Sequence, residues 1–296
     1  MSVSVGSSLQ MSNSLIGVIV VGYMVRLSHH FVNNCRACLA APQPVGIIWL
    51  SHSAPPNVRH QKERILLLAI DTATTTASLA VYNLTTQTLL AELTWEARRR
   101  QTQDLLTAAQ NLLAQLELTP SSLTAVAVTT GPGSFTGVRI GISTVKGIAM
   151  GLPTLPRLIG IPTLAVTAAP WLATLQQLAP TSLLCAVIQA GRGRYNWVTF
   201  APDQSLWRPG AADHGAGTAA ELAALLVQAA PRATICVGEI DPTLSAALPP
   251  LPHVTVIDAV SGWRRAGHLA RLAALHLAAG TADELGALEP LYLRAP

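Results

Sequence analysis

Three groups of residues have types and spacings that bear on chemistry. The first is GPGSFTGVRIG at 131–141, a glycine- and proline-rich turn leading into an apolar run. A turn of this kind at a helix start can cradle phosphate, because unpaired backbone N–H groups and the helix dipole attract an anion. It lacks the G-K-[ST] ending of a P-loop and the G-x-G-x-x-G spacing, so nucleotide binding is the lesser of its readings. The second is Asp71, at the end of the run RILLLAID. Phosphotransferases of two-lobed type hold Mg²⁺ on carboxylates from both halves. The matching position in the second half of this chain is Gln189, which brings no charge to a metal. Asp71 with Thr72 therefore marks at most a degenerate nucleotide site, and the alternative role for Asp71 is to cap the Thr-rich turn behind it.

The third group is the histidines and cysteines. His268 and His276 are eight apart, two helical turns, too far to share an ion, and His214 and His253 have no partner at ligand spacing. No metal site is expected. Cys35 and Cys38 form one C-x-x-C, half a zinc site, while Cys185 and Cys236 lie in apolar runs and read as buried thiols. G-x-S-x-G is absent and no Ser-His-Asp or Cys-His grouping stands out.

The elements that must position these residues follow from periodicity. RILLLAID (64–71), ASLAVYN (77–83) and TLLAELTW (88–95) read as strands, QDLLTAAQNLLAQL (103–116) as a helix and LTAVAVTT (123–130) as a strand. A helix from Thr136 to Gly151 follows the glycine-rich turn, capped by Ser134 or Thr136, and 155–161 is a short strand. The second half repeats the theme with strands at 183–189, 195–201 and 206–208, a helix at 219–230, strands at 234–240 and 253–258 and a closing helix at 262–279. Such strand clusters with alternating helices predict an α/β, duplicated ribonuclease-H-like fold. The boundaries are an irregular N-terminal extension at 1–63, a first half at 64–162 and a second, reduced half at 163–296.

On the 136–151 helix, Gly137, Gly141, Thr144, Ile148 and Gly151 share one narrow stripe at about 100° per residue. A nearly bare stripe lets another helix approach closely, with Phe135 and Val138 as apolar knobs beside it. The competing reading is that the stripe packs inside its own domain.

Composition bounds the partners. Half of the 296 residues are apolar and 11% are charged, enough for a large core and some apolar surface. The formal charge of +4 arises before residue 65, where Arg26, Arg36, Arg59, Lys62 and Arg64 face Glu63 alone, and the rest of the chain balances. Net charge therefore gives no sign that the globular part grips RNA by itself. The apolar run Leu15–Val25 is too short to span a bilayer, and no membrane partner is expected. The 1–63 segment reads as an upstream extension, with an organelle transit peptide as the alternative. Arg98–Arg100 is a basic run read as a solvated helix entrance.

RILLLAIDTAT, the helix after Arg98–Arg100, GPGSFTGVRIGIS and the closing EPLYLR resemble the dimerisation subunit of the tRNA threonylcarbamoyladenosine system, the TsaB type, over residues 64 to 294. That resemblance implies an actin-like ATPase fold and binding of a catalytic paralogue through the helix after the motif. It assigns Gly137, Arg139, Gly141 and their neighbours to the interface. The sequence departs from the family at Gln101-Thr102, where His-Ser is common, and at Gln189-Ala190-Gly191-Arg192, where an Asp-Ala-Arg segment is usual. The implied function is a non-catalytic scaffold for threonylcarbamoyl transfer to adenosine 37 of tRNA, with no cofactor of its own; ATP and Mg²⁺ serve the complex. Further implied partners are a small P-loop ATPase subunit, a second copy as homodimer, and tRNA held indirectly. The alternative function is an actin-like ATP-binding enzyme of phosphotransferase or carbamoyltransferase type. The expected compartment is the cytoplasm, or an organelle if the extension is a transit peptide.

Overall fold

The computed structural model describes residues 65–97, 100–248 and 250–293. The extension, Cys35, Cys38 and the run's Arg98 and Arg99 lie outside them. Two five-stranded sheets organise the chain. In the first, β1 (Leu66–Asp71), β2 (Thr76–Asn83) and β3 (Thr88–Glu96) form an antiparallel meander, and β4 (Leu123–Thr129) and β5 (Arg157–Ile161) join in parallel on the other side, giving the order β3-β2-β1-β4-β5. The second sheet repeats this arrangement. Its β6 (Leu183–Gly191), β7 (Arg194–Phe200) and β8 (Gly215–Thr218) are the meander, and β9 (Thr234–Gly238) and β10 (Val254–Val256) the parallel pair, in the order β10-β9-β6-β7-β8. The expected duplicated ribonuclease-H-like fold is what the topology shows.

Among the described residues the α-helices are α1 (Gln101–Gln115), α2 (Phe135–Gly151), α3 (Thr163–Leu178), α4 (Ala219–Gln228), α5 (Pro242–Ala247) and α6 (Ala266–Ala278). All six residues of β1 are buried, and strand alternation explains why its sequence is apolar throughout. Leu66, Leu68 and Ile70 face α1 and α2, whereas Leu67 and Ala69 face the core shared with α3, α6 and the second sheet. That shared core takes Ala186, Ile188, Val198 and Phe200 from the second sheet, so the two halves bury one another's inner faces. The closing helix α6 follows the second sheet in sequence yet packs on strands β1 and β2 of the first. A third core, around Cys185, Cys236, Tyr195 and Leu222, lies under α4 and α5, and both thiols are buried as expected.

Two sequence expectations change. Leu206–Arg208 forms no strand; the third meander strand is instead β8, GAGT, whose glycines leave room for the Trp197 ring where a carbon at Gly215 would overlap the indole. The helix α3 was not anticipated. Its sequence TLAVTAAPWLATLQQL is apolar on nearly all sides and holds Pro170, so it carries no amphipathic signal.

Candidate functional site

The glycine-rich turn is held against the turn that follows β1. Gly131 takes φ +105°, a backbone region that glycine enters without steric cost. Ser134 caps α2 by accepting the Gly137 N–H at 3.2 Å, and its own N–H donates to the Ala73 carbonyl at 2.6 Å. Thr72 Oγ1 donates to the Gly137 carbonyl at 2.8 Å, and Gln101 Nε2 to the Thr74 carbonyl at 2.8 Å. These contacts need bare backbone. A Cβ at Gly133 or Gly137 would overlap the Ala73 or Thr72 carbonyl, and one at Gly141 would stand 2.5 Å from Thr72 Oγ1.

The small-residue stripe therefore begins inside the subunit. Gly137, Val138 and Gly141 are buried, the two glycines against Thr72 in the turn after β1 and, for Gly141, Val128 of β4. Thr144 and Ile148 are half-buried, and Gly151 is exposed. The free face of α2 is rotated from that stripe and presents Phe135, Arg139, Ser143, Gly147 and Met150, with Phe135 54% and Met150 72% exposed. At Gly147 and Gly151 an added carbon would meet nothing within 4 Å. At the start of this face Arg139 stacks on the Phe135 ring, 3.7 Å from its centroid, and donates from Nε to the Tyr292 hydroxyl at 2.8 Å. The Phe135 and Tyr292 rings lie 5.9 Å apart. GPGSFTGVRIG and EPLYLR are thus brought together, with the Leu291 N–H donating to Thr130 at 2.7 Å.

Asp71 is 2% exposed and fully engaged. Its Oδ1 accepts from the Ala73 N–H at 3.0 Å, the turn-capping bond, and from Thr129 Oγ1 at 2.9 Å. Its Oδ2 accepts from Arg264 Nε at 2.5 Å. The same guanidinium donates to Thr74 Oγ1 at 3.0 Å and stands 3.6 Å from Glu239, at the end of β9. Burial opposes the Arg264 charge, but the Asp71 and Glu239 carboxylates outweigh it and hold its pKa above the ordinary arginine value. Both carboxylate oxygens of Asp71 are thus engaged by groups of the chain itself. The neighbouring cleft, about 490 Å³, is lined by Glu239 and Asp241, which repel phosphate. Gln189 donates to Asp241 at 3.1 Å, and burial together with Asp241 pushes the Tyr195 phenol up to about 12.

Arg264 was missed in the sequence, because one arginine before a helix carries no mark of the carboxylate it will meet 193 residues away. His268 and His276 both lie on α6. Burial, with Arg265 and Arg271 adding to it, pulls His268 down to about 4. Among the described residues no three His, Cys, Asp or Glu side chains converge as a metal cluster, and no helix is long and apolar enough to cross a membrane.

A family profile described as tRNA N6-adenosine threonylcarbamoyltransferase matches residues 95–220. The tRNA threonylcarbamoyladenosine biosynthesis protein TsaB of Escherichia coli K12 is 37% identical over 158 residues, 53% of this chain and 62% of that relative. The Haemophilus influenzae TsaB is 38% identical over 96 residues, 32% of this chain and 39% of the relative. The chain thus spans less than two thirds of the length of these curated relatives. The solved structure of YeaZ from Pseudomonas aeruginosa superposes with a TM-score of 0.61 at 25% identity, covering 77% of this chain and all of that one. Over about half of its length the chain is similar in sequence to TsaB proteins, and its fold resembles that of YeaZ.

Proposed function

We propose that this chain is a non-catalytic scaffold subunit of a tRNA threonylcarbamoyladenosine system, which binds and stabilises a catalytic paralogue through the outer face of α2. The observation that carries the reading is this helix. One side is locked to the turn after β1 by glycine contacts, and the other presents Ser143, Gly147 and Met150, which are exposed among the described residues. A rigid helix with small residues outward suits close packing by a second helix. The sequence similarity to TsaB proteins supports a partner from the same tRNA-modification system.

The engagement of Asp71 with Arg264 argues against ATP hydrolysis in this chain. ATP and Mg²⁺ are then used elsewhere in the assembly, by the paralogue and a small P-loop ATPase subunit, in the cytoplasm. A homodimer through the same face is the state expected when the paralogue is absent. Co-expression with the catalytic paralogue and measurement of its affinity tests the reading. A folded Gly147→Leu, Met150→Glu double variant that binds as tightly as the native chain would remove α2 from the interface.

A further inference from the structure

The helices α3 and α6 pack against each other in the core between the two sheets, and beside that contact they leave a cavity of about 150 Å³. Its apolar lining is Ala169, Pro170 and Ala173 of α3 opposite Leu272 and Leu275 of α6. The short side chains on α3 leave the space open. The polar lining is Gln176 of α3, Ser205 in the loop after β7, and His268 and Arg271 of α6.

These four polar side chains can all donate hydrogen bonds, and they have little to donate to. Gln176, Ser205 and Arg271 make no side-chain hydrogen bond or ion pair with any described residue. His268 makes one long contact, 3.5 Å from Nε2 to a terminal nitrogen of Arg265. An arginine can only donate, so Nε2 accepts, and the ring proton sits on Nδ1, which has no partner among the described residues. No Asp or Glu lines the cavity. Arg265 faces the Glu92 carboxylate at 3.7 Å, outside the cavity, whereas Arg271 faces none. Burial, then Arg265 and Arg271, pull the His268 imidazole down to about 4, and no carboxylate opposes them.

A cavity with an apolar wall, a guanidinium without a counter-charge and no acid fits an anion that carries an apolar tail. Arginine takes a carboxylate through two parallel N–H donors. The volume equals the liquid share of about five waters, room for a carboxylate and roughly three or four further carbons. We propose that the cavity between α3 and α6 binds a short-chain monocarboxylic acid, with Arg271 holding the carboxylate, His268 Nδ1 and Ser205 donating to it, and the tail lying between Ala173 and Leu275. The site lies on neither the outer face of α2 nor the Asp71 cleft, and the proposal does not depend on the heterodimer.

The test is an NMR titration of isotope-labelled isovalerate with the full chain at neutral pH. The expected result is saturable binding that Arg271→Gln weakens about tenfold or more, the factor that a hydrogen bond to a charged group typically carries. Ala173→Leu fills the cavity, leaves every charge in place, and should abolish binding. Isovaleramide has the same shape without the charge and should compete about tenfold more weakly or worse. Inorganic phosphate, which has no tail, should not displace the acid at equal concentration. The His268 ring signals should move with occupancy in the native chain and stay fixed in Ala173→Leu. Should Ala173→Leu fail to fold, Arg271→Gln, at an exposed position of α6, decides together with the amide. Absence of saturable binding, native affinity in a folded variant, or equal competition by isovaleramide or by phosphate would overturn the proposal.

Discussion

The turn after β1 and the turn after β6 occupy equivalent places in the two repeated sheets, and they have opposite fates. The first is held from two sides. Gly133 lies on Ala73 and the α2 glycines Gly137 and Gly141 on Thr72, and Arg264 ties Asp71 and Thr74 to Glu239 of the second half. The second, Gly191–Arg192–Gly193, runs through left-handed backbone at φ +74°, +54° and +69°, is exposed, and has nothing within 4 Å of where its glycines would carry side chains. Duplication has copied strand order without copying use. In this chain the first turn has become a packing node, whereas the second remains an open rim beside a cleft.

The strongest way to break the comparison is to release the first turn. Arg264→Met keeps the bulk but leaves Asp71 buried without its counter-charge, which typically costs about 3–5 kcal/mol. At roughly 2–4 °C per kcal/mol for a domain of this size, the thermal midpoint should fall by about 10 °C. A midpoint within a degree or two of the native one would mean that the ion pair does not hold the halves together. Next in size is Gly141→Leu. The added side chain meets Thr72 Oγ1 and, at 3.2 Å, Val128 Cγ2. Overpacking of about 1–3 kcal/mol should exceed the gain in helix propensity of roughly 1 kcal/mol. Chemical denaturation checks it, and undiminished stability would show that α2 can move off β1.

These contacts also mark how far the sequence could be read. The strands of the first half, a helix from about 136 to 151 and a cap at Ser134 or Thr136 were legible, because apolar periodicity and cap chemistry act within a few residues. The glycine stripe was visible too, but its spacing fits both an interface and an internal contact. Only the position of Thr72, 65 residues away, decides that Gly137 faces inward. The helix α3 was hidden because burial on nearly every side erases periodicity. Arg264 and Tyr292 were hidden as functional contacts because each acts through a partner more than 150 residues distant.

A third variant sharpens the contrast between the held and free sides of α2. Gly147→Leu places its side chain in open space, so it should leave stability unchanged or raise it by up to about 1 kcal/mol through helix propensity. If the outer face receives the paralogue, the same side chain should weaken binding by about 1–3 kcal/mol, some five- to hundredfold in Kd. Isothermal titration with the paralogue, beside a melting curve of the free chain, separates the two effects. Lost stability would show that the outer face is covered after all.

The smallest effect is expected at the open turn, and there the sign is the informative quantity. Arg192 is a non-glycine residue at φ +54°, a conformation that costs an L-residue roughly 1–2 kcal/mol. Arg192→Gly removes that cost, but glycine loses more backbone freedom on folding, about 0.5–1 kcal/mol. The difference leaves a gain of about 0.5 kcal/mol, provided that the exposed arginine side chain makes no contact worth keeping. At the first turn, substitutions that disturb fit should destabilise; at this one, relieving the backbone should be neutral or slightly stabilising. Denaturation midpoints of Arg192→Gly and native chain, measured at equal protein concentration, provide the comparison. A loss of 1 kcal/mol or more would mean that the second turn is also held, through the Arg192 side chain, and that the two turns differ less than their surroundings indicate.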